Sequence, residues 1–243
     1  MIPFDRIDTL FLDIGNTLVS IDFGRVAAEL AARGVPVTTE ALQRAEAASR
    51  PDMSRRLAGQ PWRDPEEPFV VYLRGILARL EQGRAGLDGR LRELVPDLVP
   101  LLRGERASDL WRAVMPQVPE ALARLRRLGL RLAAVSNSDG TAEQMLEETG
   151  LRSFLDAVVD SAVVGYEKPD PRIFEYTLRL VGAVAESTLH VGDLYDADVV
   201  GARQAGLHAV LLDPYDDWAG VDCPRAPDLL ALAGSFEGAR GSR

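Results

Sequence analysis

The side chains best suited to chemistry stand where short apolar runs of this chain end. One such run is followed by Asp13, and a second is followed by Ser136 and Asn137. A third run continues into an acidic turn, and a lysine stands at the entrance of a predicted helix. Ligands of open parallel sheets bind beyond the carboxyl ends of the strands. The candidate set is therefore Asp13, Ser136, Asn137, Lys168, Asp193 and Asp198.

This combination matches what phosphoryl transfer through a carboxylate requires. Asp13 can attack phosphorus and form an aspartyl-phosphate, which divides hydrolysis into two displacements. Asp13 and Asp193, from separate strand ends, can hold Mg²⁺, which neutralises charge on the transferring group. Ser136 and the backbone amides near Asn137 can donate to phosphate oxygens, and Lys168 can add positive charge and keep Asp13 ionised. Each residue alone could be a turn or cap residue, so the prediction depends on the set.

The lysine stands out by composition. Of the 28 basic residues, one is Lys168 and all the others are arginine. A lone lysine in that background indicates a position that needs a compact ammonium on a flexible stem. The alternative is the chance survival of one surface lysine.

The elements that must position these residues follow from the apolar patterns. Strand-like and helix-like segments alternate after residue 116, which predicts a parallel sheet with helices on both faces. Residues 23–115 carry only helical patterns. The candidate helices there are Arg25–Ala32, Thr39–Leu57, Glu66–Leu80, Leu87–Leu102 and Ser108–Met115. A short helix, Pro227–Ala233, and a loose tail, Gly234–Arg243, are predicted to end the chain.

We therefore predict an α/β fold with a Rossmann-like parallel sheet core and an inserted all-helical cap domain. The core comprises residues 1–22 and 116–243, and the cap comprises residues 23–115. Because the first strand precedes the helical residues and the other strands follow them, the cap is an insertion. A cleft between the two parts is the expected ligand site.

Composition excludes several classes of function. The net charge of −9 argues against a broad nucleic-acid surface, which needs clustered basic residues. No apolar run approaches the ~18–20 residues of a membrane span, and residues 1–6 lack the pattern of a secretory signal. Cys223 is the single cysteine, so no internal disulfide can form. These features favour a cytoplasmic protein, and the oligomeric state is left open.

The order and spacing of the motifs resemble the four signature motifs of the haloacid dehalogenase superfamily, in the branch with a helical cap after the first motif. The resemblance lies in the segment around Asp13, in Leu132–Asn137, in Lys168–Phe174 and in His190–Gly206. These motifs span residues 10–206, so the resemblance frames most of the chain.

The resemblance implies a phosphatase that uses Mg²⁺ and acts on a small phosphorylated molecule. Asp13 would be both nucleophile and metal ligand, and Lys168 and Ser136 would bind the phosphate. The implied metal ligands are Asp13, the carbonyl of Gly15, and Asp193, with Asp198 supporting the metal through water or a hydrogen bond. The implied substrate contacts are Ile14, Gly15, Ser136, Asn137 and Lys168, with the cap closing over them.

The first motif departs from the family pattern at one position. Most phosphatases of this superfamily carry a second Asp two residues after the nucleophile, as the acid and base for the leaving group; here Gly15 stands there. General acid–base help is worth ~10²–10⁴ in rate. Three interpretations stay open: a substrate with a good leaving group, such as an aryl phosphate, an acyl phosphate or a sugar 1-phosphate; a substitute carboxylate, with Asp22 as candidate; or slow or lost turnover in a binding protein.

Other activities of the superfamily fit less well. A dehalogenase needs no metal, whereas this chain keeps Asp193 and Asp198. Phosphonate cleavage needs a cap lysine for imine formation, and every basic residue between Arg25 and Arg112 is arginine. A mutase usually relies on the Asp that Gly15 replaces. A scaffold without activity has no need of a set that includes Asp13, Ser136, Lys168, Asp193 and Asp198.

The substrate itself is left open by the sequence. Several cap residues could meet a second anionic group or a sugar ring, although a solvated face or the cap core explains each of them more simply. They are Arg50, Arg55, Arg56, Arg63 and Trp62. His190 and His208 are predicted to be structural.

Overall fold

The centre of the structure is a six-stranded sheet whose strands pair in parallel. The computed structural model describes residues 2–57, 67–82, 89–103 and 109–241. The strands are β1 (Thr9–Leu12), β2 (Val19–Ile21), β3 (Trp111–Val114), β4 (Arg131–Ser136), β5 (Ala157–Asp160), β6 (Thr188–Gly192), β7 (His208–Leu212) and β8 (Arg225–Ala226). The parallel sheet has the order β5-β4-β1-β6-β7-β8, so the first strand lies between strands that follow it by more than 100 residues.

Helices cover both faces of this sheet, as the predicted α/β fold requires. The helices are α1 (Phe23–Ala32), α2 (Thr39–Leu57), α3 (Pro68–Glu81), α4 (Arg90–Glu93), α5 (Val95–Arg103), α6 (Val118–Arg127), α7 (Ala142–Glu148), α8 (Ser161–Val164), α9 (Pro171–Val181), α10 (Gly201–Gln204) and α11 (Leu229–Gly241). Successive residues of a strand point to opposite faces. Leu10 and Leu12 therefore pack in the core with α6, α7 and α11, while Phe11 packs in the core with α9 and α10.

The helices α1 to α5, which we call the helical segment, have an apolar core of their own. Buried side chains from Ile21 to Leu110 form one cluster that is separate from the two clusters on the sheet faces. The prediction of α2 is confirmed at both ends. The predicted starts at Glu66, Leu87 and Ser108 lie outside the described residues. The domain boundaries after residues 22 and 115 stay predictions.

One predicted helix of this region is wrong. Residues 111–114, expected inside the helix Ser108–Met115, form strand β3, which pairs antiparallel with β2. The pairing sets Trp111 opposite Ile21 and Val114 opposite Val19. Helix-forming residues such as Ala113 can join a strand when a partner strand is present, because strand stability comes from cross-strand pairing. The β2-β3 ribbon thus connects the helical segment to the residues after Asp13.

The end of the chain also differs from the prediction. The expected loose tail from Gly234 is helical as far as Gly241, because α11 buries Leu232 and Phe236 against the sheet core. Phe4 meets the Phe236 ring edge-on, with 4.8 Å between the ring centroids. Aromatic burial of this kind outweighs the low helix propensity of the glycines in this segment.

A search of the described residues for a helix long and apolar enough to cross a membrane finds none.

Candidate active site

Three neighbouring strands bring the predicted site residues to one edge of the sheet. Leu12 of β1 is in register with Ala134 of β4 and with Val191 of β6. Asp13, Ser136 and Asp193 therefore emerge side by side at the carboxyl ends of these strands. All three side chains line the same cavity, which has a volume of about 440 Å³. The strand-end positions predicted from the apolar runs thus converge.

Lys168 lies between two carboxylates and is almost fully buried. Its ammonium donates to Asp13 Oδ1 at 2.5 Å and to Asp198 Oδ1 at 2.6 Å, with only 3 % of the side chain exposed. Burial disfavours the charged ammonium, but the two carboxylates outweigh this effect and raise the pKa of Lys168. The single lysine of the chain is therefore a fixed positive charge beside the candidate nucleophile.

Asp198 is held by three protein groups. Besides Lys168, it contacts His190 Nε2 at 3.0 Å and accepts from the amide of Leu194 at 2.9 Å. Burial raises the pKa of Asp198, but Lys168 and His190 outweigh it and lower that pKa overall. The backbone at Gly192 passes so close that an added Cβ would lie 2.2 Å from Asp198 Cγ. Asp198 is thus an ionised side chain in a position that only glycine at 192 permits.

Asn137 supports the site through the backbone of the lysine loop. Its side-chain amide donates to the carbonyl of Lys168 at 2.8 Å, and its Oδ1 accepts from the amide of Lys168 at 2.7 Å. One N–H and the Oδ1 of this side chain therefore fix the backbone of Lys168. Ser136 and Asn137 both border the cavity, and Ser136 is buried.

Asp13, Asp193 and Asp198 form a cluster that suits a hard cation. One oxygen from each carboxylate lies within 4.8 Å of the others, and all three residues are buried. Burial raises the pKa of Asp13, although Lys168 opposes the rise, and burial raises the pKa of Asp193 to about 8. Both shifts indicate that the protein groups present do not fully compensate these charges. Oxygen ligands of this kind are the ones that Mg²⁺ prefers.

The charge balance of the buried cavity wall supports the same conclusion. Among the described cavity residues that are buried, four carboxylates face two cations. Ionised carboxylates would therefore leave an excess of two negative charges, which one divalent cation balances. The residues concerned are Asp13, Glu46, Asp193 and Asp198, with Arg50 and Lys168.

Asn16 connects the metal-ligand cluster to the helical segment. It has a left-handed backbone with φ of 52°, a conformation that Asn tolerates better than most residues. Its amide nitrogen donates to Asp193 Oδ2 at 3.0 Å and to Glu46 Oε1 at 2.9 Å. Its Oδ1 is buried and has no hydrogen-bond partner among the described residues. This orphaned acceptor lies beside the carboxylate cluster and adds to the oxygen-rich character of the site.

Arg50 is the only one of the predicted cap arginines that the structure shows in the cavity wall within the described residues. Its guanidinium binds Glu46 at 2.7 Å and lies 3.3 Å from Asp193 Oδ2, with 9 % of its side chain exposed. Arg55 instead pairs with Asp52 at the surface. Arg56 is exposed, and Trp62 and Arg63 lie outside the described residues.

Helix α2 contacts the core at three positions along its length. Arg44 makes a bidentate ion pair with Asp217 at 2.6 and 2.7 Å. Ser54 exchanges two hydrogen bonds with Asp196, each of 2.7 Å. Arg50 lies between these positions and shares a helix face with Ser54, four residues later. Helix α2 therefore holds the helical segment over the carboxyl edge of the sheet.

Aromatic side chains form the wall of the cavity on the side of the helical segment. Phe69, Tyr72 and Trp111 all border the cavity. The rings of Tyr72 and Trp111 lie 5.5 Å apart and are inclined by 35°. Tyr72 also donates to Glu46 Oε1 at 3.2 Å. None of these three aromatic residues could be assigned to the site from the sequence, because their roles depend on contacts between distant segments.

The candidate substitute acid, Asp22, has a different role. It is exposed, and its carboxylate accepts from the amide of Arg25 as the N-cap of α1. It does not border the cavity that contains Asp13. His190 is buried against Phe174, and burial lowers its pKa, so it is a neutral partner of Asp198. His208 lies outside the cavity and contacts the carbonyl of Glu186.

The fold and the site define an α/β protein with a carboxylate cluster at the strand ends and a helical segment inserted over it. The sequence profile of the haloacid dehalogenase-like hydrolase family matches residues 7–206. The chain belongs to this family.

Its similarity to individual relatives is partial. The haloacid dehalogenase-like hydrolase domain-containing protein 3 of Bos taurus is 41% identical over 143 residues, 58% of this chain and 57% of that protein. The glyceraldehyde 3-phosphate phosphatase of Methanothermobacter thermautotrophicus is 37% identical over 99 residues, 40% of this chain and 44% of that protein. The chain thus spans about half the length of the curated relatives it matches.

Solved structures show the same fold over the whole chain. The magnesium-bound HAD-hydrolase YfnB of Bacillus subtilis has a TM-score of 0.61 at 20% identity, covering 96% of this chain and 99% of that one. The 2-haloacid dehalogenase of Pseudomonas syringae has a TM-score of 0.55 at 21% identity, covering 96% and 98%. The fold alone therefore does not separate phosphate chemistry from dehalogenation.

Proposed function

We propose that this chain is a Mg²⁺-dependent phosphatase that acts on a small phosphorylated molecule through an aspartyl-phosphate on Asp13. The observation that carries the proposal is that Asp13 lies beside a fixed ammonium and belongs to a buried carboxylate cluster. Lys168 lies 2.5 Å from Asp13, and Asp193 and Asp198 lie within 4.8 Å of it. A carboxylate can attack a phosphate dianion only when cations offset the charge of both groups, and Lys168 together with a metal held by the cluster would supply them.

The proposed roles follow the contacts of each residue. Asp13, the carbonyl of Gly15 and Asp193 would hold Mg²⁺, which when bound neutralises charge on the phosphate. Asp198 would act through its hydrogen bonds and its pair with Lys168. Ser136 and Lys168 would bind phosphate oxygens, together with the backbone amides of Ile14, Gly15 and Asn137.

The reaction would proceed in two displacements. A carboxylate oxygen of Asp13 forms a bond to phosphorus while the bond to the leaving oxygen breaks, and that oxygen keeps the electron pair. Water then attacks the phosphorus of the aspartyl-phosphate, which releases inorganic phosphate and a proton and restores the Asp13 carboxylate. Lys168 would offset the negative charge that the phosphate brings to Asp13.

Residues 23–115 would act as a cap that closes the cavity over the substrate. The contact of Arg50 with Asp193 supports this role, because both residues border the cavity. The contacts of α2 with Asp196 and Asp217 hold the same helix on the core. The cap side supplies Arg50, and its aromatic wall would surround the leaving group. Water exclusion by such closure strengthens every electrostatic contact inside.

The relatives support phosphate chemistry. The Methanothermobacter thermautotrophicus relative is named as a glyceraldehyde 3-phosphate phosphatase. The acidic cluster supports the same assignment over dehalogenation, because a metal-free attack on a carboxylate substrate gains nothing from Asp193 and Asp198. The net charge of −9 keeps a nucleic-acid substrate disfavoured.

The decisive experiment measures phosphate release from 4-nitrophenyl phosphate. We expect turnover with Mg²⁺, loss of turnover with excess chelator, and a loss of at least about 10³-fold in Asp13→Asn, since the nucleophile is removed. Asp22→Asn is the matched control, because Asp22 is an exposed cap outside the cavity. Equal activity of Asp13→Asn and the native chain would refute the proposal.

A second candidate function is a binding protein with little turnover, which Gly15 favours because it removes the usual acid. The same assay distinguishes the two. A chain that binds vanadate with Mg²⁺ but releases no phosphate from any activated ester would be such a binding protein. Chloroacetate turnover without Mg²⁺ would instead identify a dehalogenase.

A further inference from the structure

An aromatic ring lies against the position of the missing acid. A Cβ placed on Gly15 would lie 3.2 Å from Trp111 Cζ3, closer than most Cβ contacts, and 3.4 Å from Cη2. The six-membered ring of the indole therefore crowds a side chain at position 15. The absence of a side chain at position 15 and the position of the Trp111 ring are therefore linked by packing.

The ribbon of β2 and β3 fixes this ring in place. Trp111 is paired with Ile21 across the ribbon, and β2 begins four residues after Gly15. The Trp111 ring also meets Tyr72 at 5.5 Å, and Tyr72 is tied to Glu46. Burial raises the pKa of Tyr72 well above its ordinary value, so its phenol remains a neutral donor. The two rings form a stable wall, which we call the Trp111–Tyr72 wall.

The carboxylates on the cap side of the cavity are occupied as acceptors. Glu46 accepts from Arg50 through both oxygens, and it also accepts from Asn16 and Tyr72. Glu67 pairs with Arg103. Among the described cap-side residues, these are the two carboxylates that border the cavity. Glu46 accepts on both oxygens and Glu67 is held in an ion pair, so neither is placed as a proton donor for a leaving group.

We propose that the Trp111–Tyr72 wall determines specificity by replacing acid catalysis with an apolar leaving-group site. It selects phosphate esters whose leaving group is flat and departs as a stable anion, as in aryl phosphates. This inference rests on the proposed function and names its substrate class. The leaving oxygen carries away the electron pair of the broken bond and takes its proton later from water.

The first test compares kcat/KM for 4-nitrophenyl phosphate and phenyl phosphate. Both have the same ring, but phenol is about as weak an acid as tyrosine, with a pKa of about 10. We expect the native chain to favour the nitrophenyl ester by about 100-fold or more. In Gly15→Asp combined with Trp111→Ala, an acid gains room, and the preference should shrink by about 10²-fold, since an acid is worth ~10²–10⁴.

Gly15→Asp alone is the matched control. With Trp111 in place the ring crowds the new side chain, so we expect the preference for the nitrophenyl ester to stay high. A native chain that hydrolyses both esters about equally through Asp13 would overturn this inference and leave the proposed function intact. A native chain that hydrolyses neither ester would instead contradict the proposed function.

The second test needs no turnover. Calorimetric titration with phenylphosphonate and methylphosphonate, both with Mg²⁺, measures how much the Trp111–Tyr72 wall contributes to binding affinity. We expect the phenyl compound to bind about 3- to 10-fold more tightly, as aromatic contacts usually give. The difference should disappear in Trp111→Ala and persist in Trp111→Phe. Equal binding of the two phosphonates to the native chain would overturn the inference whether or not the chain is catalytically active.

Discussion

Arg50→Met tests how strongly one buried cation holds the helical segment on the sheet. Arg50 binds Glu46 at 2.7 Å and lies 3.3 Å from Asp193, with its side chain 9 % exposed. Methionine fills a similar length but removes the charge. Among the residues that the structure describes, Glu46 would then keep Asn16 and Tyr72 as its side-chain donors, inside a wall already rich in carboxylates.

The magnitude follows from burial. Breaking a buried ion pair by removing one partner costs about 3–5 kcal/mol, because the remaining charge stays buried. For a chain of this length the melting temperature should fall by about 6–20 °C. Arg44→Met is the matched control on the same helix. Arg44 is 48 % exposed and also bridges to the core, so its loss should cost about 0–1 kcal/mol.

Urea unfolding followed by circular dichroism measures both variants. Adding Glu46→Gln to Arg50→Met should recover part of the loss, since it removes the uncompensated carboxylate. Equal costs for Arg50→Met and Arg44→Met would refute the reasoning, because burial would then make no difference to the two bridges. A double variant no more stable than Arg50→Met would refute the role assigned to Glu46.

Two further predictions concern the carboxylate cluster. An acid whose pKa is raised in the folded state stabilises the fold at low pH, and this contribution is lost as pH rises. The pKa of Asp193 is raised from 3.8 to about 8. The metal-free chain should therefore lose about 1 kcal/mol of stability between about pH 7 and about pH 9. Urea unfolding should show this loss in the native chain and not in Asp193→Asn. Gly192→Ala should destabilise the fold by about 3 kcal/mol or more, because the added methyl would lie 2.2 Å from Asp198. Thermal unfolding checks this against Gly234→Ala, whose methyl meets nothing within 4 Å and should stabilise α11 by about 0.5–1 kcal/mol.

Local sequence patterns were sufficient to predict the type and bounds of an element whose burial depends on its own residues. Thr39–Leu57 was predicted at both ends, since a long run of helical pattern indicates one structure. Trp111–Val114 was predicted as helix because its residues are compatible with one. Its strand depends on Val19–Ile21, about 90 residues earlier, and no local signal reports such a partner.

The same distinction applies to the site. Asp13, Ser136 and Asp193 could be placed together because parallel strands end at one edge, which is a rule of the architecture. Glu46 and Trp111 could not, because they reach the cavity through the packing of the helical segment over the sheet. Asn16 did carry a signal. It follows Gly15 in a tight turn, and Asn is one of the few residues that accept the left-handed backbone found there.

The geometry of the cavity explains why a lysine stands at position 168 and an arginine at position 50. Lys168 places one nitrogen within 2.6 Å of two carboxylates, one that follows β1 and one in the helical turn after β6, in a space with almost no exposure. A guanidinium is planar and spreads its charge over three nitrogens, so it could not meet both oxygens from one point. Arg50 has the opposite task, because its planar fork binds both oxygens of Glu46 while it lies beside Asp193. The cavity therefore needs a point charge on the sheet side and a fork on the cap side, and exchanging the two residue types would satisfy neither side.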